Sequence, residues 1–128
     1  MVLSLQDHPT LKSFSQYSSM NTLTSQAALG RLLSNSTCRI TTLIFNESNL
    51  DNESFLDAIK HNSSLETLHL QMTGLSQRDI TTILRAVAGH PNLVNVDVSY
   101  NGVSSLDLIC PNIGQVGRLE TLDLSGNH

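Results

Sequence analysis

The chain has 128 residues, 39% of them hydrophobic, and carries a formal net charge of −4. That length holds at most one domain, and the acidic balance with seven scattered basic residues leaves no stripe that could follow a phosphate backbone, so a nucleic-acid partner is not expected. No run approaches the roughly 18 apolar residues of a membrane span, and MVLSLQDHPTLK lacks the basic start and apolar run of a secretory signal. Two cysteines far apart in sequence, Cys38 and Cys110, fit a reducing, cytoplasmic compartment better than a disulfide framework. The Asn-x-Ser/Thr triplets at Asn35, Asn46, Asn52 and Asn62 carry no weight in a chain this rich in those residue types.

In chain order, the first expected element is a strand over 11–17, although Gln16 falls where a core residue belongs and a bulge would be needed to turn Tyr17 inward. Asn21-Thr22-Leu23-Thr24 then starts a helix that carries Ala27, Ala28, Leu29, Leu32 and Leu33 inward. Next comes ITTLIFNESNL at 40–50, in which Leu43 and Phe45 alternate with polar neighbours as in a half-buried strand. Asp51 or Asn52 caps a second helix, with Phe55, Leu56 and Ile59 on its inner side. The phrase returns as LETLHLQMTGL at 65–75. Ser76 and Asp79 then form a capping box ahead of an i, i+3, i+4, i+7 stripe of Ile80, Ile83, Leu84 and Val87. Gly89-His90-Pro91 ends that helix. LVNVDVSYNGV at 93–103 is the third copy and LETLDLSGNH at 119–128 the fourth. Between them 104–117 holds a short or 3₁₀ helix, cut off at Pro111.

The copies start at 40, 65, 93 and 119, spacings of 25, 28 and 26 residues (65 − 40, 93 − 65, 119 − 93). A degraded opening unit over 1–17, with a repeat start near 11, extends the series: His8-Pro9-Thr10-Leu11 echoes His90-Pro91-Asn92-Leu93. Strand, loop, helix and return strand require parallel strands, because only a crossover of this length can bring the chain back to the same sheet edge. The phrases resemble leucine-rich repeats, and the period with a helical half resembles the ribonuclease-inhibitor subclass. That resemblance, over about residues 8–128, implies a single α/β domain built as a solenoid. Its shape is a partial horseshoe, with parallel strands on the concave face and helices on the convex face. The loop asparagine of the family matches at Asn101 and Asn127, while Ser48 and Thr73 replace it in the earlier copies, which predicts looser loops there.

The family is mainly a scaffold for binding unrelated partners, so the expected function is non-catalytic, intracellular protein–protein interaction through the concave sheet face. The outward strand positions are Thr42, Ile44 and Asn46; Thr67, His69 and Gln71; Asn95, Asp97 and Ser99; Thr121, Asp123 and Ser125. In-register stacking puts Ile44, His69, Asp97 and Asp123 in one row, an acidic patch that Glu66 and Glu120 flank and that suits a basic partner segment. A line of ligands on a gently curved sheet does not surround an ion, so neither a metal nor a cofactor is expected. No GxSxG, HExxH, CxxC or phosphate-binding glycine loop is present, and no catalytic residue is assigned. His8, His61 and His90 read as solvated turn residues, Cys38 and Cys110 as small fillers or partly exposed thiols, and Arg78 and Arg85 as a solvated helix face. The chain stops after the fourth phrase, leaving Leu119, Leu122 and Leu124 as an unshared row. The expectations there are a fragment of a longer array, a truncated product, or end-to-end self-association through that repeat. The alternative function is a leucine-rich-repeat segment of a larger regulatory protein, receptor or enzyme whose activity lies elsewhere.

Overall fold

Apolar side chains at every second position give each copy of the phrase a strand with one inward row, and the rows align. The computed structural model describes residues 11–17, 23–47, 52–105 and 118–127. Five strands, β1 (Ser13–Tyr17), β2 (Thr42–Asn46), β3 (Thr67–His69), β4 (Asn95–Asp97) and β5 (Thr121–Asp123), form one sheet in chain order. Every neighbouring pair is parallel. Helices α1 (Leu23–Ser34), α2 (Asn52–His61) and α3 (Gln77–Ala88) carry the first three crossovers. α1 packs on α2 and α2 on α3.

The core lies between the sheet and the helices as one cluster. Leu43 pairs with Leu68, Leu68 with Val96 and Val96 with Leu122, and the first three of this file are buried. Leu29, Leu32 and Leu33 of α1, Phe55, Leu56 and Ile59 of α2, and Ile80, Ile83, Leu84 and Val87 of α3 complete it, on the helix positions the periodicity assigns. The Phe45 and Phe55 rings meet at 6.4 Å and 33°, tying β2 to α2. The Ser76 hydroxyl accepts from the Asp79 amide (3.2 Å) and the Asp79 carboxylate accepts from the Ser76 amide (2.8 Å), so the capping box starts α3 where it was expected.

Strand β1 departs from expectation. Its five residues pair one-to-one with Ser13 opposite Thr42 through Tyr17 opposite Asn46, so there is no bulge. Phe14, buried opposite Leu43, anchors the register and makes an extra residue unnecessary. The expected helix in 104–117 falls on 106–117, outside the described residues, as do His8, Ser48, Asp51 and Cys110.

Two polar ladders join the units at either end of the strands. At the exit, the Asn101 side chain is buried; its Oδ1 accepts from the amides of Thr73 and Leu75 (both 3.0 Å), and its Nδ2 donates to the carbonyls of Leu70, Val98 and Ser99. Asn127 repeats this one unit later, accepting from the Asn101 and Val103 amides and donating to Val98 and Leu124 carbonyls. Thr73, in the asparagine's place one unit earlier, is buried and donates through Oγ1 to the Leu70 carbonyl (2.9 Å). At the entry, Asn62 Oδ1 accepts from the Ser64 and Leu65 amides, and its Nδ2 donates to the Leu33 carbonyl (2.8 Å).

His90 takes the same place one unit later, with Nδ1 accepting from the Asn92 and Leu93 amides (both 3.1 Å). Its proton therefore sits on Nε2, which donates to Asn62 Oδ1 at 3.2 Å. The reading of His90 as a solvated turn residue is thus corrected: it is buried because it supplies the acceptor that the strand-entry amides need, and that burial lowers its pKa. His61, by contrast, is exposed near Asp57.

Candidate binding face

The strand side chains that do not enter the core stand on the opposite face of the sheet, in rows running across the strands. Register pairing places Thr42, Thr67, Asn95 and Thr121 in one row and Ser15, Ile44, His69, Asp97 and Asp123 in the next. Neighbours within a row are about 4.8 Å apart along the sheet. The first row is linked by side chains: Thr121 Oγ1 donates to Asn95 Oδ1 (2.7 Å), and Asn95 Nδ2 donates to Thr67 Oγ1 (3.4 Å). Thr42, Ile44, Thr67, His69, Gln71, Asn95 and Asp97 are half-buried; Thr121, Asp123 and Ser125 are exposed.

Two expected members of the face are buried. Asn46 is buried with its Oδ1 accepting from the Gln71 amide (3.0 Å), and Ser99 is buried at 1% exposure. Both immediately precede a residue of positive φ, Glu47 and Tyr100, as do the half-buried Gln71 and the exposed Ser125 ahead of Met72 and Gly126.

The acidic pair has a defined local role. Asp97 Oδ1 accepts from the Ser99 amide (2.9 Å) and Asp123 Oδ1 from the Ser125 amide (2.8 Å), so each carboxylate holds the turn that follows its strand. Hydrogen bonding from the Ser125 side chain, and then from its amide, lowers the Asp123 pKa; burial opposes this, and His69 adds a smaller attraction. Glu66 and Glu120 are exposed on either side of the strand entries. Among the described residues of these rows there is no lysine or arginine, which leaves the face acidic with His69 at its centre.

Elsewhere, among the described residues, no group of three or more His, Cys, Asp and Glu gathers as a metal-ligand set. No described helix is long and apolar enough to cross a membrane. Cys38 is half-buried, with its Sγ accepting long contacts from Ser64 Oγ (3.6 Å) and Asn62 Nδ2 (3.9 Å). Asn46 and Asn62 are buried, so in the folded chain neither side chain is presented for glycosylation. On the helical side, an open cleft between α2 and α3 is lined by Lys60, Thr82, Arg85, Ala86 and Gly89, a feature the sequence reading did not assemble. A comparison with protein-family models gives no match, and a comparison with curated proteins gives none either.

Proposed function

We propose that the chain is a ribonuclease-inhibitor-like leucine-rich-repeat module, a partial horseshoe acting in the cytoplasm as a non-catalytic surface for another protein. The partner sits on the face formed by Ile44, His69, Asp97, Asp123 and their neighbours. The observation that carries this reading is the unbroken register from Ile44 to Asp123: it sets polar and charged side chains at regular spacing on a sheet face away from the helices. A surface already fixed by the Asn101 and Asn62 ladders loses little conformational freedom on binding, and this favours recognition without rearrangement.

The test is affinity capture from cytosolic extract with the intact chain, an Asp97→Lys/Asp123→Lys variant and an Arg78→Glu control on the helical side. Circular dichroism should first show that all three are equally folded. The reading predicts that the double variant loses specific partners that the control keeps. An unchanged set of partners in the double variant contradicts it.

A further inference from the structure

After strands β2, β3, β4 and β5 the chain passes through a residue of positive φ at Glu47 (54°), Met72 (55°), Tyr100 (54°) and Gly126 (68°), with Gly74 a second one after β3. The amides of Glu47, Met72 and Tyr100 donate to the carbonyls of Gln71, Ser99 and Ser125, so the first four stand in file along one edge of the open face. Glycine suits this backbone; methionine and tyrosine do not. Yet Met72 and Tyr100 occupy it with 51% and 56% of their surface exposed, so the unfavourable backbone is not offset by burial. The Tyr100 ring lies against Gly126, where a Cβ would collide with it.

The same edge carries the carboxylates. Asp97 holds the Ser99 amide, immediately before Tyr100, and Asp123 holds the Ser125 amide, immediately before the glycine on which the Tyr100 ring rests. Each bond uses Oδ1; Asp97 is half-buried and Asp123 exposed, and Glu47 adds a further exposed acid to the file. Apolar side chains held out in solvent next to acids, with no described cation on this edge, complement one kind of side chain: a long apolar stem ending in a positive charge.

We infer that this edge recognises an extended basic segment of a partner protein. Its apolar parts lie across Met72 and Tyr100, and its arginine or lysine head groups meet Asp97 and Asp123. A guanidinium there can also stack on the Tyr100 ring. The inference rests on the reading that the open sheet face binds a protein, and adds the chemistry of that protein.

The experiment titrates ¹⁵N-labelled chain with an acetylated and amidated (Gly-Arg-Leu)₄ peptide and with a twin carrying glutamate for arginine. The arginine peptide should shift the amides of Ser99, Tyr100, Ser125 and Gly126 in a saturable way, and raised salt should weaken it. Asp97→Asn/Asp123→Asn keeps an oxygen for each turn amide while removing the charges, and should weaken binding roughly fivefold or more. Tyr100→Asn, which tolerates positive φ, should weaken it by a similar factor. Equal binding of the glutamate twin, unchanged affinity in the asparagine pair, shifts confined to the helices, or no shift at millimolar peptide each overturn the inference; an unaffected Tyr100→Asn overturns the aromatic half. If the arginine peptide ignores this edge while capture still depends on Asp97 and Asp123, the partner chemistry is wrong and the open-face reading stands. If both fail, both fall.

Discussion

Replacing Asn101 by alanine removes the acceptor of two buried amides, those of Thr73 and Leu75, each 3.0 Å from Oδ1. Leaving a buried donor unpaired costs about 1–3 kcal/mol. The three carbonyls that lose Nδ2 add less, since a carbonyl with a second lone pair is easier to leave half-satisfied, and the Leu70 carbonyl keeps the Thr73 hydroxyl. The expected loss is therefore about 3–5 kcal/mol, set against the roughly 5–15 kcal/mol total stability of a typical domain. Asn127→Ala removes the same pattern from a half-buried site, where water can replace the side chain, and should cost about 1 kcal/mol. Asn101→Asp keeps the acceptor but turns a second oxygen toward the Leu70, Val98 and Ser99 carbonyls, so it should not rescue the loss. Urea unfolding followed by circular dichroism measures all three, with an unchanged slope required for the comparison. An Asn101→Ala loss below about 1 kcal/mol, or no larger than that of Asn127→Ala, would refute the claim that this amide bridges the units.

Further outcomes follow from the same structure. Burial lowers the His90 pKa, so its contribution to stability is complete above the unfolded value of about 6.5 and is lost as pH falls through the folded value. His90→Asn, which copies the Asn62 arrangement, should flatten that part of the urea midpoint against pH, and parallel profiles for the two chains would count against it. Ser76→Ala should cost about 1 kcal/mol by urea unfolding through loss of the α3 capping box, and Ser76→Gly less. Gly126→Ala combines a positive φ with contact against the Tyr100 ring and should cost about 1 kcal/mol. In a Tyr100→Ala background part of that cost should disappear, a coupling that a double-mutant cycle reads directly.

The regular features were legible because they follow from periodicity. Leu43, Leu68 and Val96 alternate with polar neighbours, the α3 stripe recurs at helical spacing, and near-constant repeat lengths place Ile44, His69, Asp97 and Asp123 in register. What escaped lies where the chain leaves a regular element. A period-two reading places Asn46 and Ser99 on the open face and does not see that both are buried, nor the positive φ that follows each. The same blindness hid Met72 and Tyr100 as an exposed pair on one edge. A histidine before proline looks like any helix stop, which hides the buried acceptor role of His90; its signal is its place three residues before Leu93, matching Asn62 before Leu65. At β1 the position of Gln16 suggests a bulge, but the strand pairs one-to-one with β2 and Phe14 is buried opposite Leu43.

Methyl-labelled NMR on the intact chain tests most directly whether neighbouring units share one apolar spine. The structure predicts cross-strand contacts from Leu43 to Leu68, Leu68 to Val96 and Val96 to Leu122, with amide patterns of parallel pairing. Methyl contacts that skip a neighbour in this file, or amide contacts of antiparallel strands, would contradict it.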